Sequence, residues 1–314
     1  MKIAIVGTGG VGAYFGGRLA QAGKDVTFIA RGNHLKAILA DGLRVQSIQG
    51  DFRVYPAKST DRPETIGPVD LVLCCVKSWQ VSEAAGAIRT LMGPETVVIP
   101  LQNGVEAYAT LSTMLGAAHV LPGLCRVIAM IVAPGHIRHA GADPFVAFGE
   151  LDGRSSPRAE KVARVFSEAR GLTVELSRSI LADLWRKFML IAPWSGIGAL
   201  TRAPIGVFRS VPETRAMLLE SIREVFAVAR ANGVAVTEQA VEATLALIDR
   251  MPPEGTASMQ RDIMEGRPSE LHEQCGAVVR FGDKGGVATP VNRFVYHSLL
   301  PLEQKARGLL SFIF

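Results

Sequence analysis

Apolar positions along the first third of the chain switch between two periods. Residues 2–6 form a short β-branched run, residues 7–12 are rich in glycine, and residues 11–22 place apolar side chains at helical spacing until Gly23. Residues 25–29 are strand-like again, so the opening predicts a strand, a glycine turn, a helix and a second strand, a βαβ unit. Residues 43–48 and 52–55 alternate on either side of Gln49-Gly50-Asp51, which signals a hairpin. Residues 69–76 then read as a buried strand, 81–92 as a helix and 96–100 as another strand. Such alternation predicts a doubly wound parallel sheet.

From residue 119 to 148 the pattern becomes strand-like runs separated by glycine and proline, with Pro134-Gly135 as a turn. Antiparallel strands extending the sheet are the simplest expectation. A helix over 156–169 and a strand over 173–177 complete this half. Strand signals then fade, and helical patterns occupy 180–191, 213–232, 238–248, 270–281 and 291–300. The expectation is an α/β, Rossmann-type domain over residues 1–177 and an all-helical domain over 178–314.

Composition agrees with this division. A chain of 314 residues exceeds what one core usually organises, and 48% hydrophobic with 20% charged residues is ordinary globular composition. The first strand begins at residue 2, which leaves no space for a signal peptide, and no apolar run approaches the roughly 18 residues a membrane span needs. The reading is a cytoplasmic protein with no membrane partner. Cys74, Cys75, Cys125 and Cys275 lack a CxxC spacing and are expected as reduced thiols. The net charge of +5 comes without a Lys/Arg run, favouring a small anionic ligand over nucleic acid. Six scattered histidines show no ligand spacing, so no metal site is expected. The apolar tail, residues 309–314, suits either its own domain or a second copy, which leaves a homodimer open.

The first chemistry lies in Gly7-Thr8-Gly9-Gly10-Val11-Gly12, which fits G-x-G-x-x-G directly after a strand and at the start of a helix. Gly7 permits the tight turn, Gly9 lets backbone N–H groups approach a pyrophosphate, and Gly12 lets helix and strand pack closely. The helix N-terminus then faces a dianion. The second strand ends Ile29-Ala30-Arg31 without the carboxylate that would bond a ribose 2′-hydroxyl. A guanidinium at Arg31 suits a 2′-phosphate, so NADPH is the expected cofactor.

Several segments together resemble the ketopantoate reductase (2-dehydropantoate 2-reductase) family: the glycine turn, Val76-Lys77-Ser78-Trp79-Gln80, Leu101-Gln102-Asn103-Gly104, Leu184-Trp185-Arg186-Lys187-Phe188, Ser258-Met259-Gln260-Arg261-Asp262 and Gly266-Arg267-Pro268-Ser269-Glu270. The resemblance implies NADPH-dependent reduction of 2-dehydropantoate to (R)-pantoate. It implies Lys187 as the catalytic lysine and general acid, Glu270 as the active-site glutamate, also beside the cofactor, and Ser258 as a substrate-binding serine. It places Asn103 beside nicotinamide and substrate, and Lys77 and Gln80 against the cofactor. Hydride delivery to a ketone builds negative charge on oxygen, so a placed proton donor is worth about 10²- to 10⁴-fold in rate. Asp262 lies one helical turn beyond Ser258 on the same face.

The chain also departs from the family. Members usually carry asparagines one and two turns after the lysine; here those positions are Ile191 and Ser195, with Pro193 expected to kink the helix. Ser195 is the candidate substrate contact that remains on that wall. His272, Glu273 and Gln274 depart from the more usual apolar and acidic pattern. Alternatives are therefore a reductase of a different 2-keto acid, or an NADPH-binding sensor without turnover.

Overall fold

The computed structural model describes residues 1–313. Its first unit comprises residues 1–102 and 106–180; its second comprises Asn103–Val105 and the chain from Leu181 onward.

The first unit opens with β1 (Lys2–Val6), α1 (Gly10–Gln21), β2 (Asp25–Ile29), α2 (Gly32–Asp41), β3 (Leu43–Ser47), β4 (Phe52–Val54), β5 (Lys58–Thr60) and β6 (Leu71–Cys74). Then follow α3 (Val81–Arg89), β7 (Val97–Pro100), α4 (Ala107–Leu115), β8 (Gly123–Arg126), β9 (Ala129–Ala133), β10 (His136–His139), β11 (Phe145–Phe148), α5 (Pro157–Ser167) and β12 (Thr173–Leu176). A five-stranded parallel sheet runs in the order β5-β2-β1-β6-β7. Alternate side chains of its strands go to opposite faces. Ile3, Ile5, Leu71, Leu73, Val97 and Ile99 enter one core with α1, while Ala4, Val6, Val72, Cys74 and Val98 enter another with α3. Two buried faces explain why these strands read as unbroken apolar runs.

The antiparallel strands do not extend that sheet as expected. β9 and β10 join the β3–β4 hairpin in a four-stranded sheet ordered β4-β3-β10-β9, and β8, β11 and β12 form a three-stranded one. A bridge between Val98 and Val120 is the link from β7 toward β8. The hairpin offers β10 a free edge, and pairing β10 with β3 rather than with the parallel sheet satisfies it. The periodic reading also passes over α2, a ten-residue helix that buries only Leu35 and Ile38, and α4.

The second unit is helical: α6 (Ile180–Thr201), α7 (Ile205–Phe208), α8 (Pro212–Ala231), α9 (Gln239–Arg250), α10 (Ser258–Met264), α11 (Cys275–Gly285) and α12 (Pro290–Ala306). α6 continues for two turns past Pro193, ten residues beyond the end expected from periodicity. Leu218, Ile222 and Val225 of α8, Val278 of α11 and Val295 of α12 are all buried in this unit. Among the described residues, no helix is long and apolar enough to cross a membrane.

Candidate active site

The glycine turn is shaped by what each missing side chain would meet. Gly7 has φ +96°, a left-handed conformation that favours glycine, and a Cβ there would lie 2.7 Å from the Val76 nitrogen. At Gly12 a Cβ would lie 2.2 Å from the Gly7 carbonyl oxygen and 2.8 Å from Ile5 Cγ2, so the first turn of α1 sits directly on β1. Gly10 answers to a different neighbour: a Cβ would fall 2.0 Å from the Ala129 oxygen of β9. A Cβ at Gly9 would meet no atom of the described residues within 4 Å beyond its own turn. That open side is the one a pyrophosphate needs, and the sequence Gly10-Val11-Gly12-Ala13 puts no acid in the first turn of α1. These residues fit a bound dinucleotide. Val11 is half-buried and packs on the core, and the buried Thr8 hydroxyl donates to the Ile29 carbonyl at 2.8 Å.

Arg31 caps α2 with its backbone and leaves its side chain 75% exposed, 3.5 Å from Glu83 Oε1. A contact this long and exposed contributes little, so the guanidinium is available to a phosphate. The Lys77 ammonium stands 5.7 Å from the ring centroid of Trp79, and the Lys77 N–H donates to Gln80 Oε1 at 3.3 Å. Gln80 therefore secures the turn that carries Lys77.

Gln102 was singled out by no spacing argument, although it stands beside Asn103. Its amide nitrogen donates to the carbonyls of Cys74 (2.9 Å) and Val76 (3.0 Å), and its Oε1 is enclosed without a hydrogen-bond partner among the described residues. Burial pushes the Cys74 thiol up to about 11, so it stays protonated beneath this amide.

In the second unit, α6 is fixed by Trp185, whose ring meets Phe188 and Phe281 edge to face at 5.5 Å each. This leaves Lys187 half-buried on another side of the helix, without an ion pair among the described residues. Lys187, Ile191 and Ser195 follow one another at helical spacing of four; the first two are half-buried and Ser195 is fully buried. The Ser195 hydroxyl has no partner among the described residues. A buried hydroxyl left unpaired costs about 1–3 kcal/mol, so a group that supplies its bond is favoured there.

Ser258 opens α10 and is half-buried. Asp262 is largely buried and receives Arg267 at 3.1 and 2.9 Å, tying the turn after α10. Glu270 does not open a helix, as the periodicity suggested. α11 begins at Cys275, because Gln274 adopts φ −106° and ψ −91°, outside the helical region. Glu270 stands instead in the preceding turn, 4% exposed, with the Gln274 N–H returning to its carbonyl at 2.9 Å.

Asn103 clusters with this unit. Gly104 beside it has φ +101°, and the Glu273 carbonyl lies 3.0 Å from where a Cβ would be. Glu273 is the second residue that the motifs did not mark. Its Oε2 is enclosed without a partner among the described residues, and burial, then the charge of Glu270, push its carboxyl up to about 7. Its signal in the sequence was a charge at a place where the family pattern differs.

Two family models match the chain, Ketopantoate reductase PanE/ApbA over residues 3–153 and Ketopantoate reductase PanE/ApbA C terminal over residues 179–303. An uncharacterized oxidoreductase of Bacillus subtilis is 29% identical over 95% of this chain and 98% of its own. A 2-dehydropantoate 2-reductase of Halobacterium salinarum is 32% identical over 93% and 96%. The crystal structure of a PanE/ApbA family ketopantoate reductase from Ralstonia eutropha JMP134 superposes with TM-score 0.89 at 33% identity, covering 98% of this chain and 100% of that one.

Proposed function

Because the chain belongs to the ketopantoate reductase family, we propose that it reduces 2-dehydropantoate to (R)-pantoate with NADPH. The observation that carries this reading is the second unit's polar set. Lys187 is a half-buried lysine without an ion pair among the described residues, and Glu270 is a carboxylate enclosed in a bonded turn.

The Gly7–Gly12 turn would hold the pyrophosphate and Arg31 the 2′-phosphate, with Lys77, Gln80 and Asn103 along the rest of the cofactor. When bound, NADPH supplies a hydride for the ketone carbon. Lys187 gives its Nζ proton to the carbonyl oxygen as charge builds there. Ser258 donates to the substrate carboxylate, and Asn103 to an oxygen of the substrate. Glu270 orients the lysine. Ser195 offers its unpaired hydroxyl to the substrate.

A different 2-keto acid is the second reading, and one observation favours it. Ile191, between Lys187 and Ser195 on the same stripe, gives the wall an apolar patch where the family usually places a hydrogen-bonding side chain.

The test is loss of reduced-nicotinamide absorbance with 2-dehydropantoate, beside a panel of other 2-keto acids and a Lys187→Ala control. Turnover that vanishes in the control, with NADPH binding intact, supports the reading. Turnover confined to another member of the panel replaces the substrate, and binding without turnover on any member replaces catalysis with sensing.

A further inference from the structure

The segment 265–274, which carries Glu270, contains no helix or strand. It therefore has no ladder of its own to fix the carboxylate. Its anchor comes from the far end of the chain. The N–H of fully buried Ser269 is shared by both carboxylate oxygens of Glu303, at 3.1 and 3.0 Å, and its hydroxyl donates to Glu303 Oε2. The Ser269 carbonyl accepts from Arg307 Nη2 at 3.0 Å, and Arg307 Nε donates to Glu303 Oε1 at 2.6 Å. Glu303 and Arg307 are one helical turn apart at the end of α12, so that end holds every polar group of Ser269.

Bonds on the other side of Glu270 complete the arrangement. Ser269 Oγ accepts the Leu271 N–H at 3.3 Å, closing a turn over Glu270. Gln274 returns its backbone N–H to the Glu270 carbonyl at 2.9 Å and its side-chain amide to Glu270 Oε2 at 3.4 Å. The Glu303 side chain is 0% exposed. A buried ion pair is a poor source of net stability, because desolvation consumes most of the attraction. Fixing one carboxylate in an irregular segment is the better account of its place here.

We propose that Glu303, Arg307 and Ser269 are positioning residues that hold the Glu270 carboxylate in register for the reduction. The inference rests on the assignment of Glu270 to the active site, and the experiment separates the two.

Ser269→Ala removes the hydroxyl, with its bonds to Glu303 and Leu271, and keeps the backbone contacts. At saturating NADPH and 2-keto acid, kcat should fall roughly 10- to 100-fold, the scale of a misplaced catalytic group. Affinity for NADPH should stay near wild type, Tm should fall by no more than the few degrees that one buried bond to a carboxylate is worth, and Ser269→Thr should restore both kcat and Tm. Amide exchange at residues 269–271, read by mass spectrometry on the full chain, should quicken at least about tenfold in the alanine variant and recover in the threonine one. Unchanged kcat or unchanged exchange in Ser269→Ala overturns the proposal, as does a kcat loss that follows Tm and is not rescued by threonine. A Glu270→Gln control with full kcat overturns the active-site assignment and the proposal together. Loss in that control with none in Ser269→Ala overturns the positioning role alone.

Discussion

The Thr8 hydroxyl donates to the Ile29 carbonyl at 2.8 Å, which staples the glycine turn to the end of β2. Arg31 stands two residues beyond the acceptor, so the turn is tied to the backbone that carries the guanidinium. An anionic ligand spanning both would gain charge-assisted bonds at its far end without new ordering of backbone.

Arg31→Ala should therefore weaken NADPH by roughly 10- to 100-fold, since a bond to a charged group is worth about 1.5–3 kcal/mol. NADH, which lacks the 2′-phosphate, should change less than about threefold by the same reasoning. Nicotinamide fluorescence titrations of both cofactors decide it, and equal weakening of the two would remove Arg31 from the specificity site.

The glycines of the turn should separate folding from binding. Gly10→Ala drives a Cβ to 2.0 Å from the Ala129 oxygen, a backbone atom that cannot yield cheaply. Overpacking of this kind typically costs about 1–3 kcal/mol, and Tm should drop by several degrees. Gly9→Ala meets nothing among the described residues within 4 Å, so Tm should hold while NADPH affinity falls. A Gly9→Ala variant that binds NADPH normally would show that the open side of the turn is not where the pyrophosphate lies.

The sequence made the parallel sheet readable because both faces of its strands are buried, which leaves long apolar runs such as residues 71–76. Lys187 and Glu270 were named through motif resemblance, and no periodicity would have found them. What stayed hidden depends on long-range pairing. That β10 joins β3 instead of the main sheet, or that Glu303 reaches back 34 positions to Ser269, leaves no local pattern. Helix α11 begins five residues later than the apolar spacing suggested, because spacing records which residues are buried and a bonded turn buries them as well as a helix does. Gln102 and Glu273 were seen only as a motif neighbour and a departure from the family pattern for a related reason: their oxygens without partners among the described residues are consequences of enclosure, which one-dimensional spacing does not report.

Glu273 should give the protein a measurable pH dependence. Its carboxyl is pushed up to about 7 by burial and by Glu270, against opposing charges on Arg307 and Arg280, with Tyr296 also close. A raised carboxyl contributes stability that is fully present below the ordinary carboxylate range and is lost as pH rises through about 7. Glu273→Gln removes the titration. Its Tm should therefore gain on wild type between pH 5 and pH 8, by the equivalent of about 1–2 kcal/mol after allowing for solvent screening of a partly exposed group. A Tm difference that is flat with pH would mean the carboxyl ionises normally.

Ser195 separates stability from function most directly. Its hydroxyl is enclosed in α6 without a partner among the described residues, so in the unliganded protein it is a cost. Alanine also has the better helix propensity, and Ser195→Ala should raise stability by about 1 kcal/mol. If the hydroxyl is kept for substrate, the same change should lower kcat/KM about tenfold, the worth of one neutral hydrogen bond. Ile191→Asn restores a polar side chain one turn after Lys187, and it should raise kcat/KM for 2-dehydropantoate relative to keto acids with apolar tails. Thermal melts and the 2-keto acid panel read both effects on the same preparations. A Ser195→Ala enzyme that is more stable and equally active on every member of the panel would show that the unpaired hydroxyl faces no substrate, leaving Ile191 as the residue of that wall to which a change of substrate must be traced.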